Sequence, residues 1–149
     1  MKYPEYDRFS PDSARKGRIA EEEFKKYLRK RKETFRHQVA LEYAATDYTI
    51  AGRADFITPS RIYEVKHVNK FRKPLKSWVG QLNLYLGMAG KENGSVIEFN
   101  GKKFREYRFD FSSRLFKESI SFFDRIHSGN YRKDLRQCRF CNYSFICLK

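Results

Sequence analysis

Two strand-like runs, Thr49–Ile57 and Arg61–Val68, are separated by a Pro59-Ser60 break. Proline ends the first run, and Ile62, Tyr63 and Val65 give the second its β-formers. So short a connection makes the runs neighbours in a hairpin. Glu64 and Lys66 are two residues apart and share one face, with Tyr63 and Val65 on the other. Asp55 lies near the end of the first run, where it meets Glu64 across the ladder with Lys66 beside both.

The rest of the chain supplies the other layers. A helix is expected over Ser13–Glu33, with Ile19, Ala20, Phe24, Tyr27 and Leu28 on its apolar face. Glu21 and Glu23 border that face, and Glu22 points away. Gln38–Tyr43 alternates as a strand. Pro74 opens a helix that runs to about Ala89, with Leu75, Trp78, Val79, Leu82, Tyr85 and Leu86 buried and Gly90 as its stop. Ser95–Phe99 and Lys103–Phe109 are strands around Asn100-Gly101, a strong hairpin signal. Ser112–His127 reads as a last helix with Leu115, Phe116, Ile120, Phe122, Phe123 and Ile126. This order predicts an α/β domain with a central mixed sheet flanked by helices. At 149 residues the chain suits one domain. Residues 1–12 read as an arm, 13–128 as the core and 129–149 as a cysteine-bearing tail.

Charge narrows the partners. Lys and Arg number 32 against 18 Asp and Glu, a formal +14. A field of that sign favours a polyanion, and nucleic acid is the expected one. The longest apolar runs fall far short of a membrane span, so no membrane partner is expected. The opening MKYPEYDRFS has no apolar export core, which places the protein inside the cell, in the cytoplasm. Cys138, Cys141 and Cys147 all lie in the last twelve residues. An odd, clustered set in such a chain argues against a disulfide framework.

Facing carboxylates repel unless a cation sits between them. A hard oxygen site of this kind suits Mg²⁺ or Mn²⁺, which also take phosphate oxygens. Lys66 would orient or deprotonate an attacking water, or stabilise the developing charge. The plainer alternative is a cross-strand salt bridge on an exposed hairpin. Fifteen residues beyond Lys66, Gln81 and Tyr85 share a helix face at i and i+4.

In order and spacing, Gly52-x-x-Asp55, Glu64-x-Lys66 and Gln81-x-x-x-Tyr85 resemble the RecB-like branch of the PD-(D/E)XK nuclease superfamily, whose core has the restriction-endonuclease-like fold. The tail CRFCNYSFIC resembles the C-terminal end of the CRISPR-associated Cas-four-type exonucleases. The resemblance runs from about Gly17 to Cys147. It implies a metal-dependent DNA nuclease, most often a single-stranded DNA exonuclease. By position Asp55 and Glu64 would be metal ligands with the Val65 backbone carbonyl, and Lys66 the catalytic lysine. Gln81 and Tyr85 would orient active-site groups and the DNA backbone.

The chain departs from that pattern twice. Where the family often carries a metal-binding histidine four residues after a glycine, Glu21 follows Gly17; glutamate is an acceptable hard ligand. The iron–sulfur members also need a fourth cysteine, and this chain has three. That leaves an iron–sulfur cluster with a non-cysteine ligand, a Zn²⁺ ion completed by His37, His67 or His127, or no metal.

Beside the proposed site, Lys70, Arg72, Lys73 and Lys76 are placed to follow a phosphate backbone, with Phe71 or Trp78 stacking a base. The rival readings are a structure-specific endonuclease or junction resolvase, which would work as a homo-oligomer, and a non-catalytic DNA-binding adaptor. Intact Asp55, Glu64 and Lys66 argue against the adaptor. The expected partners are DNA and the CRISPR, viral replication or recombination proteins among which such enzymes act; a viral origin would place the protein in the host cytoplasm.

Overall fold

A computed structural model describes residues 11–130 of the chain. Its elements follow the expected order: α1 (Pro11–Lys30), β1 (Arg36–Ala44), β2 (Thr49–Ile57), β3 (Ile62–His67), α2 (Lys76–Ala89), β4 (Asn93–Phe99), β5 (Phe104–Asp110) and α3 (Ser113–His127). The strands form one sheet in the order β1-β2-β3-β4-β5. Only β3 and β4 run parallel, with α2 as their crossover; the other pairs are antiparallel. The sheet is therefore mixed, as expected. Among the described residues no helix is long and apolar enough to cross a membrane.

Each face of the sheet has its own core. On one side Ala20, Phe24 and Leu28 of α1 pack on Phe56, Tyr63, Val65, Ile97 and Phe99. On the other, Leu82, Tyr85 and Leu86 of α2 pack on Ala54, Ile57, Ile62 and Val96. Helix α1 buries a narrower stripe than its sequence implied, since Ile19 and Tyr27 remain exposed. The tail of residues 131–149 lies outside the described range, and with it Cys138, Cys141 and Cys147.

Several boundaries moved for identifiable reasons. Helix α1 ends at Lys30 rather than Glu33, because Lys32 takes a left-handed φ of 56°. The Lys32 N–H then donates to the Arg29 carbonyl and the Glu33 N–H to the Leu28 carbonyl, closing the helix as glycine usually does. Helix α2 starts at Lys76 rather than Pro74, because Leu75 is extended. Its end is as expected, with Gly90 left-handed at φ 61°. Helix α1 also starts two residues early, so Pro11 and Asp12 belong to it and not to an arm.

Helix α3 is tied to α2 by a buried side chain. Asn83 Nδ2 donates to the Ser112 carbonyl at 3.1 Å, and the Ser112 N–H donates to Asn83 Oδ1 at 2.8 Å. Ser112 then caps α3 by accepting the Leu115 N–H. Asn83→Ala leaves the buried Ser112 N–H without its acceptor, while the Ser112 carbonyl keeps the Phe116 N–H at 3.0 Å. We expect it to lower unfolding free energy by about 1–3 kcal/mol in urea titration, with the Ser112 cap loosened in hydrogen exchange.

Candidate active site

The site forms where the sheet comes apart. The β1–β2 ladder holds one register throughout, pairing His37 with Phe56 and Val39 with Ala54. Between these pairs Gln38 and Asp55 stand opposite each other without pairing, and Gln38 has a left-handed φ of 51°. An uninterrupted strand would put Phe56 and Ala54 on one face. Here Phe56 packs under α1 while Ala54 packs under α2. The chain thus changes faces at Asp55.

The β2–β3 hairpin pairs only Phe56 with Tyr63 and Ile57 with Ile62. Asp55 and Glu64 come next, where a regular ladder was expected, but the strands separate there. The Val65 N–H instead donates to Asp55 Oδ2 at 2.8 Å. Strand β3 pairs with β4 from Ile62 to His67.

The sequence-predicted residues converge around this gap. Lys66 Nζ lies 2.6 Å from Glu64 Oε1 and donates to Gln81 Oε1 at 3.4 Å. Gln81 Nε2 donates to the Tyr85 hydroxyl at 3.0 Å. The i, i+4 pair therefore forms a relay ending on the lysine. Gly52 makes it fit: a β-carbon there would stand 2.5 Å from Tyr85 Cε1. Gly52→Ala is expected to push the tyrosine ring away and cost about 1–3 kcal/mol. In urea titration that cost should shrink in a Tyr85→Leu background.

Both carboxylates are held away from their ordinary state. Glu64 is 1% exposed, and its Oε2 has no partner among the described residues. Burial raises its pKa against the opposing pull of Lys66. Asp55 is pushed up to about 7, chiefly by burial and then by the charge of Glu64, with the Val65 N–H pulling the other way. Glu21 adds negative charge to both. Its own Oε2 is engaged by Gln38 Nε2 at 2.7 Å and His37 Nε2 at 3.1 Å. Glu21 thus belongs to the field of the site, but β1 holds it. Among the described residues no three His, Cys, Asp or Glu side chains close on a single point as a metal cluster. Val65, whose carbonyl was an expected ligand, lies between Glu64 and Lys66 and pairs with Ile97.

Two residues of this region, Gln38 and Glu98, were not singled out from sequence, and His37 was expected only as a candidate ligand alongside the tail cysteines, whereas it lies on Glu21. Gln38 takes a left-handed φ inside β1, which no local signal announced. Glu98, a charge inside the apolar run Ser95–Phe99, is fully buried.

Beyond Lys66, at the end of β3, is a cavity of about 530 Å³ lined by Ser13, Lys16, His67, Asn69, Lys70 and Arg72 with Val68; it contains none of Asp55, Glu64, Lys66, Gln81 or Tyr85. Lys70 and Arg72 were expected at a DNA surface; Lys16 of α1 and His67 join them. Lys73 and Lys76 are exposed beyond it. Arg72 also lies over the Trp78 ring at 5.4 Å, so that ring already carries a cation. A larger cavity, about 930 Å³, lies between α1 and β5 and contains none of the site residues.

The fold is similar to that of two solved proteins. The crystal structure of SSO0001 aligns with a TM-score of 0.67 and 22% sequence identity, over 93% of this chain and 71% of that one. The alkaline exonuclease LHK-Exo from Laribacter hongkongensis aligns with a TM-score of 0.64 and 13% identity, over 79% of this chain and 70% of that one. Its complex with dAMP gives 0.66 and 15%, over 82% and 72%. No protein-family model and no curated protein matches the sequence. The chain therefore shares the α/β fold of these proteins.

The raised Asp55 pKa sets a pH dependence. The native state holds this proton more tightly than the unfolded chain, so stability falls as pH rises from the ordinary 3.8 to about 7, then levels off. Asp55→Asn keeps an acceptor for the Val65 N–H and removes the charge. It should match the wild type near pH 4 and exceed it at pH 8, by on the order of 2–4 kcal/mol. Thermal melts across that range check both limbs.

Proposed function

We propose that this protein is a metal-dependent DNA nuclease, acting most readily as an exonuclease on single-stranded DNA. One observation carries the reading: half-buried Asp55 and fully buried Glu64 meet at a gap in the sheet, with Lys66 resting on Glu64 and Glu64 Oε2 without a partner among the described residues. Such a pair is costly unless positive charge is brought to it.

The donor set fits a hard divalent ion, Mg²⁺ or Mn²⁺. Asp55 and Glu64 would hold it, with Glu21 and the Val65 carbonyl able to complete the set. When bound, such an ion supplies Lewis-acid charge at a phosphate and a water of lowered pKa.

The chain's own groups do the rest. The donor-only Lys66 ammonium takes the Gln81 oxygen and leaves Nε2 for the Tyr85 hydroxyl, so Lys66 is held by Glu64 on one side and Gln81 on the other. Lys66 then orients the attacking water or meets the charge developing on the phosphate oxygen. Lys16, His67, Lys70 and Arg72 gather around a neighbouring cavity of the right sign for backbone phosphates. Exposed Lys73 and Lys76 extend that track. The fold shared with an alkaline exonuclease, also solved with dAMP, supports nucleic acid as the substrate.

End-labelled linear and circular single-stranded DNA, incubated with Mn²⁺, tests this. We expect stepwise release of nucleotides from linear DNA only, abolished by EDTA and reduced at least 10²-fold by Lys66→Ala. Cleavage of the circle would favour the endonuclease. Binding without cleavage by the wild type would overturn the enzyme reading and leave the adaptor.

A further inference from the structure

One buried charge is not used by this mechanism. Glu98 on β4 is fully buried, and α2 and the β3–α2 loop lie over its side of the sheet. Its Oε2 accepts the Arg72 N–H at 3.1 Å. Its Oε1 has no partner among the described residues. An acceptor-only group this deep is expensive when half satisfied, so an unpartnered oxygen asks what donor it is built to receive.

The sheet points to a donor. Strands β3 and β4 are parallel, and Glu98 is the register partner of Lys66. Register partners project to the same face from neighbouring strands roughly 5 Å apart. Lys66 is therefore flanked by two buried glutamates, Glu64 two residues earlier on its own strand and Glu98 beside it on the next. Each has one unpartnered oxygen, Glu64 Oε2 and Glu98 Oε1. The ammonium now rests on Glu64 at 2.6 Å. Glu64 is the carboxylate a divalent ion must claim, so lysine and ion compete for it.

We propose that Glu98 is a positioning residue that receives the Lys66 ammonium when a divalent ion takes Glu64. The proposal rests on the nuclease reading. Glu98 holds the lysine beside the site while Glu64 is given over to the ion. Through Arg72 it also ties that event to the basic loop between β3 and α2.

The test is a double-mutant cycle read by cation binding, without DNA or turnover. Mn²⁺ is titrated calorimetrically into the wild type, Glu98→Gln, Lys66→Met and the double variant. Glutamine keeps an acceptor for the Arg72 N–H and removes the charge. Glu98→Gln should weaken Mn²⁺ binding about tenfold where Lys66 is present, and leave it within about twofold where Lys66 is methionine. An equal loss in both backgrounds, or no loss, would overturn the proposal and leave the nuclease reading standing. No Mn²⁺ binding by the wild type would overturn both. A second measurement avoids any change at position 98. The Lys66 ¹³Cε resonance of lysine-labelled wild type, assigned with Lys66→Met, should shift on adding Mg²⁺ as the ammonium changes partner. An unshifted resonance in cation-saturated protein would overturn the proposal.

Discussion

The hydrogen bond from the Val65 N–H to Asp55 Oδ2 sets the architecture of the site. In a regular hairpin that amide would stay within the backbone ladder. Here a side chain takes it, and β2 and β3 part just beyond Phe56 and Tyr63. The parting creates the recess into which Glu64 and Lys66 project. Strand β1 adapts from the other side, with Gln38 turning left-handed opposite Asp55. Past that point the small residues Ala54 and Gly52 face α2, and Tyr85 settles against the strand. One misplaced acceptor thus organises three strands and a helix.

Such a site works against the stability of its host. Buried Glu64 and half-buried Asp55 share one lysine, and a further buried carboxylate, Glu98, lies on the next strand. The remainder of the fold offsets this with apolar packing. Phe24 alone meets Phe56, Tyr63 and Phe104 edge-on and stacks on Tyr27. The polar links are also placed for rigidity, as in the Asn83–Ser112 clamp between α2 and α3. Lys16 on α1 and Lys70, Arg72, Lys73 and Lys76 around the β3–α2 loop add charge of the opposite sign, which favours a polyanion.

Much of this was legible because local rules and the global fold agree. Asn100 and Gly101 did turn the chain: Asn100 Oδ1 accepts the Lys102 and Lys103 N–H groups, and Gly101 has a φ of 87°. Gly90 stopped α2 as its position implied. The alternation around Glu64 placed it with Lys66 on one face, and the i, i+4 spacing placed Gln81 with Tyr85. What escaped was non-local or against preference. A lysine closes α1 where glycine was the readable signal. Ile19 and Tyr27 fit the helical period but stay exposed, Tyr27 reaching only the sheet's edge at Phe104 of β5. The face change at Gln38 depends on an acceptor ten residues from the amide it captures, in a third strand. Glu98 gave no sign of its role, because its burial comes from α2 and the β3–α2 loop folding over that face.

The parallel pairing of β3 with β4 has a consequence in time. Strands β1, β2 and β3 are joined by short turns and form from near neighbours in sequence. The contacts of β3 with β4 span about thirty residues and must await the crossover helix, a slower step than local pairing. The acidic half of the recess is therefore assembled early. The lysine's surroundings on α2 and β4 are assembled late. A chain growing from its N-terminus brings its two facing carboxylates together before it holds the groups that orient Lys66, so the full set of site residues exists only once α2 and β4 are in place.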